Sequence, residues 1–209
     1  MSLRGLKKHL TLNREIKKFD KSCAHLGARI ITLSSVQNPL EDEQFLAEAI
    51  AFRLYRNQER LIRTFFLDCC VKTQTPSKNS IKSKLRCKDW DTAEEILKAG
   101  NRFLDWGNPT TTRNLANVIF KDGFPISDIM LSKQSALVDL QRIRNFVAHD
   151  SREAQVSFSK TARNHLRTGD QEPISAGELL LYRKRPSENM TLQILFNQIG
   201  VLSQMVVAS

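Results

Sequence analysis

Glycine and proline are scarce in this chain, with eight and six among 209 residues. Folds built from β-strands need both at short intervals, because tight turns use the backbone angles that these residues supply. Aromatic residues are also few, at 7%, whereas hydrophobic residues make up 41% and are enough for a core. The composition therefore favours a helical fold, in one domain or two small ones.

Sequence patterns of several common enzyme classes are absent. The chain has no glycine-rich phosphate loop, no His-Glu-x-x-His motif, and no serine or cysteine nucleophile with a recognisable elbow or base. Its four cysteines lack the spacing of a zinc site, and Cys69 and Cys70 lie in an apolar run that is typical of packed thiols. We therefore expect neither a metal nor a cofactor.

Signals for export or membrane insertion are also lacking. The opening residues MSLRGLKKHL contain no apolar stretch of the secretory kind, and no apolar run approaches the roughly 18 residues of a membrane-spanning helix. Nothing in the cysteine pattern indicates an oxidising compartment. We expect a cytoplasmic protein without a membrane partner.

The charge of the chain is strongly unbalanced. Lysine and arginine number 32 against 22 aspartates and glutamates, which gives a formal net charge of +10. A surface this basic attracts polyanions such as RNA, DNA or an anionic membrane. An excess of solvated lysine is the alternative, and charge alone does not decide between them.

Apolar residues recur at helical spacing through most of the chain. A basic amphipathic helix is predicted over about residues 1–34; its lysine-rich face either contacts RNA or is solvated, and solvation is the commoner case. Asn38 and Pro39 then break the pattern, and a long helix is predicted from Glu41 to about Val71.

The next segment, KTQTPSKNSIKSKLRCK, contains six basic residues and no acidic one. We predict a loop here, with room for a short helix after it. Its cations suit the phosphate backbone of a nucleic acid, although a merely soluble loop has the same composition. The candidate nucleic-acid-binding residues are Lys78, Lys82, Lys84, Arg86 and Lys88.

More helices are predicted beyond this loop. Asp91 and Glu94 have the spacing of a capping box, TTTRNLANVIF predicts a second helix, and SDIMLSKQSALVDLQRIRNFVAH predicts a third. A polar helical segment follows to about His165, GELLLYRKR fits a strand or a short helix, and MTLQILFNQIGVLSQMVVA is again helical. The sum is a single all-α bundle, with a core of about residues 41–165, an N-terminal helix of about 1–34 and a helical tail of about 174–209.

The run RNFVAH brings three functional groups together. Arg144 offers a permanently charged planar fork for a phosphate, Asn145 can donate to an oxyanion or orient a histidine, and His149 can exchange a proton near neutral pH. These groups suit RNA cleavage without a metal, in which a base activates the ribose 2′-hydroxyl and a cation stabilises the charge on phosphate. The products would be a 2′,3′-cyclic phosphate and a 5′-hydroxyl, and DNA would not be cut.

Helix geometry separates the members of this group. Asn145 and His149 are four residues apart and share a face, whereas Arg144 and His149 lie about 140° apart around a straight helix. Either the helix breaks between them or two copies of the chain build one site, and the sequence leaves both open. The alternative to catalysis is a solvated helix end, paired with acids such as Asp139 or Asp150.

The run resembles the R-x4-6-H motif of the HEPN superfamily, in which an asparagine often follows the arginine. The apolar helix before it, its AHDS ending and the earlier stretch LYRNQERLIR are similar to stand-alone bacterial HEPN proteins of the RiboL-PSP and MAE kinds. This resemblance covers about residues 41–165. HepT-type toxins have a tyrosine two residues after the histidine, where this chain has Ser151, so regulation through that tyrosine is not carried over.

The resemblance implies a HEPN-type helical bundle that forms a homodimer, with the active site at the interface. It implies a metal-independent endoribonuclease of antiphage defence, abortive infection or a toxin–antitoxin pair, restrained by an antitoxin or another regulatory protein. Arg144 and His149 would be the catalytic pair and Asn145 their polar helper. The alternative is a non-catalytic subunit that binds nucleic acid or acts as an adaptor.

Two other polar residues carry weaker signals. Glu59, on the long helix, either steers Arg144 or pairs locally with Arg56 or Arg63. His165 belongs to no recognisable constellation, so a packing or surface role is favoured.

Overall fold

The computed structural model of the chain describes residues 11–100, 104–171 and 175–209. Within these ranges the fold is all-α, as the sequence predicts, and the extended contacts are isolated bridges. A 3-10 turn at Lys121–Gly123 joins the fourth and fifth helices. The α-helices are α1 (Leu12–Ser34), α2 (Glu41–Val71), α3 (Trp90–Lys98), α4 (Pro109–Ile119), α5 (Ile126–Ser132), α6 (Gln134–Ala148), α7 (Arg152–His165), α8 (Ala176–Leu181), α9 (Thr191–Ile199) and α10 (Leu202–Ala208).

Helix α2 lies at the centre of the molecule. It packs against α1, α3, α6, α8, α9 and α10, and its apolar residues accordingly occur on several sides rather than in one stripe. One continuous hydrophobic core includes residues from Leu12 in α1 to Val206 in α10. The helices outside residues 41–165 therefore contribute to the same core as those inside. Residues 1–10, which supply part of the predicted N-terminal helix, lie outside the described residues, as do 172–174.

The start of α3 differs from the sequence prediction. Asp89 caps this helix, since its carboxylate accepts from the Thr92 N–H at 2.8 Å, so the predicted capping box on Asp91 is wrong. The side chain of Glu94 does not complete such a box. It accepts two hydrogen bonds from the guanidinium of Arg63, one of them at 3.1 Å from Nε, and so joins α3 to α2.

The predicted helix over SDIMLSKQSALVDLQRIRNFVAH is divided in the structure. Helix α5 ends at Ser132 and α6 begins at Gln134, with Lys133 between them at φ −117° and ψ 11°. No glycine or proline marks this position. Both helices contact α4, but α5 otherwise packs against α10, whereas α6 packs against α2, α7 and α9. The single-helix prediction is therefore wrong because tertiary packing, not local sequence, sets this break.

The C-terminal tail is helical, including α8, for which the sequence left a strand open. The segment Thr191–Ala208 has a mean hydropathy of 1.3 over 18 residues, enough by length and composition to cross a membrane. The expectation that no run approaches this length is therefore wrong. In the structure the segment is divided near Gly200 into α9 and α10, and its apolar stripe lies in the core: Leu192, Leu195, Ile199, Leu202 and Val206.

The Arg63–Glu94 contact gives a prediction for stability. We expect Glu94→Gln to lower the free energy of unfolding at pH 7 by about 1–2 kcal/mol, because the bonds of a charged pair become weaker neutral ones. The hydrogen bond with Arg63 lowers the pKa of Glu94 from its ordinary value of 4.5. The stabilisation is therefore complete above that ordinary value and is lost as the pH falls through the lower native one.

Urea denaturation at pH 7 and at about pH 3 measures this effect. The wild type and Glu94→Gln should differ at pH 7 and converge in acid. Glu95→Gln, at an exposed position of the same helix, is the matched control and should change little at either pH. A Glu94→Gln deficit of the same size at both pH values would contradict the assignment.

Candidate functional site

The RNFVAH run lies at the C-terminal end of α6. The helix ends at Ala148, and His149 has an extended backbone with φ −139° and ψ 122°. The N–H of His149 still donates to the carbonyl of Asn145 at 2.9 Å. The helix therefore ends between Arg144 and His149, which is one of the two arrangements left open by the sequence. Asp150 then leads to Ser151, the cap of α7.

Asn145 and His149 line a wide groove with a volume of about 1190 Å³, formed mainly by α6 and α7. The side chain of His149 is exposed there. Charged lining residues are few among those that the structure describes: Arg142, Asp139 and Glu153. The remaining polar lining consists of amides and hydroxyls: Asn108, Thr110, Gln134, Ser135, Gln141, Ser151, Ser157 and Asn164.

Arg144 extends from α6 toward α2. Its guanidinium carbon lies 5.3 Å from the ring centre of Tyr55 and 5.9 Å from that of Phe52. One guanidinium nitrogen, Nη1, donates to Oδ1 of Asn145 at 2.8 Å. Asn145 is thus the residue that connects Arg144 with the groove in which His149 lies.

The guanidinium of Arg144 is held without being neutralised. Among the described residues no carboxylate lies within 4.0 Å of it, and its buried Nε has no hydrogen-bond partner there. Contact with two aromatic rings positions the cation while leaving its charge intact. A buried donor without an acceptor is uncommon and costs about 1–3 kcal/mol. An anionic ligand is one source of the missing acceptor.

The Tyr55 ring beside Arg144 is held by Asp105, a residue that no sequence motif indicates. The Asp105 carboxylate accepts from the Tyr55 hydroxyl at 3.2 Å, from the Gly107 N–H at 3.2 Å and from Gln141 at 2.9 Å. Burial and the charge of Asp105 raise the pKa of Tyr55, so its phenol stays protonated and can donate. Tyr55 is 50 residues from Asp105 in sequence, and no local pattern signals such a contact.

Glu59 lies near this cluster on α2. Burial raises the pKa of Glu59, while the charges of Arg56 and Arg144 act in the opposite direction. Arg63 has Glu94 as its hydrogen-bonded partner. Of the two charges, that of Arg56 has the larger effect, so both the local pairing with Arg56 and the interaction with Arg144 stay open for Glu59.

The two acids proposed to pair with the motif have other partners. Asp139 is buried between α6 and α7, where Oδ1 accepts from Thr161 at 2.9 Å and Oδ2 lies 3.0 Å from Nε2 of His165. Asp150 accepts from Gln155 at 3.5 Å. His165 therefore has a packing role, as expected, and joins α7 to α6. Neither acid pairs with Arg144 or His149.

The predicted nucleic-acid-binding residues Lys78, Lys82, Lys84, Arg86 and Lys88 are all exposed on the segment 72–89, between α2 and α3. No helix forms there. Backbone hydrogen bonds hold the segment in place, including Ile81 N–H to Thr73 at 2.8 Å and Lys84 N–H to Ile119 at 2.8 Å. The segment is therefore an anchored loop.

This loop and the RNFVAH run are far apart. The loop begins after Val71, sixteen residues beyond Tyr55 on α2, which is about 24 Å along a helix. The guanidinium of Arg86 donates to the carbonyls of Lys72 and Ile81, so its charge stabilises the loop itself. The structure does not bring these cations to Arg144, and Arg86 is the one least free to bind phosphate.

The cysteines and potential metal ligands form no reactive site in the described residues. Cys23, Cys69, Cys70 and Cys87 are buried free thiols, and burial raises the pKa of Cys70 to about 12. The expectation of packed thiols is thus confirmed. Within residues 11–100, 104–171 and 175–209, no cluster of three or more His, Cys, Asp or Glu side chains is arranged to hold a metal ion.

Comparison with known proteins identifies no relative. No family model matches the chain, and neither a curated protein nor a solved structure shows significant similarity to it. The resemblance to HEPN proteins therefore depends on the RNFVAH run and its helical context.

Proposed function

We propose that this protein is a metal-independent endoribonuclease of the HEPN type. The main observation behind the proposal is the environment of Arg144. Its guanidinium lies between α6 and two aromatic rings, has no carboxylate partner among the described residues, and bonds to Asn145. Asn145 in turn shares its groove with the exposed His149. Phosphodiester cleavage by an internal hydroxyl requires a positioned cation and a proton-transferring side chain, and Arg144 and His149 supply one of each.

In the proposed reaction His149 accepts the proton of a ribose 2′-hydroxyl. The 2′-oxygen forms a bond to phosphorus, and the bond from phosphorus to the 5′-oxygen of the next nucleotide breaks. That oxygen takes up a proton from water, which leaves a 2′,3′-cyclic phosphate and a 5′-hydroxyl. Arg144 stabilises the negative charge on the phosphate oxygens, and Asn145, which accepts a hydrogen bond from Nη1, holds the guanidinium in place.

The proposal includes a homodimer with a shared site. Within one chain the Arg144 guanidinium lies on the α2 side of α6, whereas His149 lines the groove next to α7. Two copies related by a two-fold axis would place Arg144 of one beside His149 of the other. A nuclease of this kind needs restraint, so we include an antitoxin or regulatory partner and a cytoplasmic location in the proposal.

A non-catalytic RNA-binding subunit is the second candidate. One observation favours it: no described residue hydrogen-bonds to the side chain of His149, whereas catalytic histidines are commonly oriented by such a partner. A protein that only binds RNA needs no such orientation.

The test is incubation of end-labelled RNA with the purified protein in EDTA. We expect fragments with 2′,3′-cyclic phosphate and 5′-hydroxyl ends, and no cleavage of DNA of the same sequence. Fragments with 3′-hydroxyl and 5′-phosphate ends, or cleavage only after a divalent metal is restored, would contradict the mechanism. RNA binding without any cleavage would support the second candidate.

A further inference from the structure

A groove between α1 and the first half of α2 plays no part in the proposed chemistry. It has a volume of about 620 Å³, and cations from both helices line it. The described lining includes a single acid, Glu15. The lining cations are Lys18, Lys21 and Arg29 from α1 and Arg53 and Arg60 from α2.

These cations differ in how they are neutralised. The carboxylate of Glu15 is 4% exposed and binds Lys18 at 3.5 Å and Arg60 at 3.2 Å, so these two are part of the structure of the groove. Lys21, Arg29 and Arg53 are exposed, and no described carboxylate lies within 4.0 Å of them. Three positive charges on opposite walls are therefore free to attract a polyanion.

A second cavity, of about 760 Å³, continues this groove toward α6. Both are lined by Arg53, Asn57 and Arg60, and the second also contains Phe45 and Phe52. The side chain of Phe45 is 61% exposed. Phe52 is one of the two rings against which the Arg144 guanidinium packs. A continuous surface thus leads from the candidate site to the cations of α1.

The combination of charges and aromatic rings indicates the chemistry of the partner. Lys21 and Arg29 are eight residues apart on α1, so the free cations of this wall extend over about 12 Å along the helix. That length suits a chain of phosphates better than a single anion. Exposed phenylalanine beside such a wall provides a stacking surface for a base.

We propose that this α1–α2 groove binds single-stranded RNA, with the phosphates along Lys21, Arg29 and Arg53 and a base stacked on Phe45. The groove replaces the 72–89 loop as the main RNA-binding surface. Binding here goes beyond the proposed cleavage and does not require it, because the groove contains neither Arg144 nor His149.

The test uses a fluorescent 2′-O-methyl RNA of about twelve nucleotides, whose length is within the usual range of single-strand sites. Without a free 2′-hydroxyl it is not cut by the proposed route, so binding is measured whether or not the ribonuclease proposal holds. The groove variant combines Lys21→Gln, Arg29→Gln and Arg53→Gln. The matched control combines Lys78→Gln, Lys82→Gln and Lys84→Gln, which removes the same charge from the loop.

We expect the groove variant to bind the RNA at least ~10-fold more weakly than the wild type. Its affinity should also depend less steeply on salt: the magnitude of the slope of log K against log salt should fall by about 2, as for three lost phosphate contacts. The loop variant should lose less than ~3-fold. Phe45→Ala should weaken binding ~5-fold or more without changing the salt slope. Circular dichroism confirms that each variant is folded.

Three outcomes would overturn the proposal. Equal losses in the two triple variants would mean that affinity follows net charge, and a larger loss in the loop variant would return the binding surface to residues 72–89. The third outcome combines two results: Phe45→Ala binds RNA as tightly as the wild type, and an equal concentration of a poly-glutamate peptide displaces the RNA. Together they would indicate that the groove binds an acidic protein instead.

Discussion

Replacement of His149 by alanine is expected to reduce the rate of RNA cleavage in EDTA by at least ~100-fold, the scale of a lost general base. The side chain is exposed at the end of α6 and lies outside the core, so stability should not change. The affinity for 2′-O-methyl RNA should stay within ~3-fold, because the proposed phosphate contacts lie elsewhere. Cleavage and binding are measured on the same preparation, by gel assay and fluorescence anisotropy.

The neighbouring residue provides the control. Asp150 is exposed and has one long hydrogen bond, to Gln155, so Asp150→Ala should cleave RNA at close to the wild-type rate. Equal activity of wild type and His149→Ala would exclude His149 as the base and would favour a protein that only binds RNA. Loss of binding in His149→Ala would instead assign this residue to substrate affinity.

The same variant also tests the shared site. Arg144→Ala should be inactive alone, since it lacks the guanidinium that is hydrogen-bonded to Asn145. When Arg144→Ala and His149→Ala are unfolded and refolded together, half of the dimers are mixed and each mixed dimer has one complete site. About a quarter of the wild-type activity should then return. No recovery would show that each copy uses its own Arg144 and His149.

Replacement of Gly107 by alanine is expected to cause the largest loss of stability, about 3 kcal/mol or more. A Cβ atom at this position would lie 2.0 Å from the hydroxyl oxygen of Tyr55 and 2.3 Å from its Cζ, far inside van der Waals contact. Tyr55 is 2% exposed and is surrounded by core residues, so its ring has little room to move. A fall in Tm of about 6–12 °C, measured by scanning calorimetry, is the corresponding result.

Cleavage should fall together with stability in Gly107→Ala, because the displaced Tyr55 ring is the one that positions Arg144. Tyr55→Phe separates the two effects: it removes the hydrogen bond to Asp105 but keeps the ring, so most of the activity should remain. Gly27→Ala, whose Cβ would be 3.3 Å from Phe196, is the control for glycine replacement and should change Tm little. A Gly107→Ala protein with wild-type Tm would contradict the packing described here.

Local sequence was sufficient for much of the helical structure. Asn38 and Pro39 interrupt the apolar pattern, and α2 has the predicted bounds, Glu41–Val71. The break between α5 and α6 at Lys133 was not predicted, because no glycine or proline marks it and the N-cap Lys133 makes no side-chain capping hydrogen bond. The predicted start of α3 was two residues too late, because Asp89 and Asp91 are both acceptable N-caps. Glu94 does not complete a capping box because its carboxylate binds Arg63 instead.

The candidate site was likewise predicted only in part from the sequence. The spacing of Asn145 and His149 predicts that they share a face, and both line one groove. The participation of Asp105 was not predictable, since its partners Tyr55 and Gln141 are 50 and 36 residues away in sequence. The prediction that the loop cations bind nucleic acid considered only their charge. In the folded protein the Arg86 guanidinium donates to a carbonyl of the loop itself. Lys21, Arg29 and Arg53 remain free in the α1–α2 groove.

The sequence by itself determined the all-α class, the length of α2 and the presence of an arginine, an asparagine and a histidine near one helix end. These features depend on periodicity and on residues a few positions apart, where the backbone alone defines the geometry. Only the tertiary structure decided that Arg144 packs on Phe52 and Tyr55 without a carboxylate among the described residues, and that cations of α1 and α2 face one groove. Such contacts join distant parts of the chain, and burial of the core around α2 is the force that brings them together.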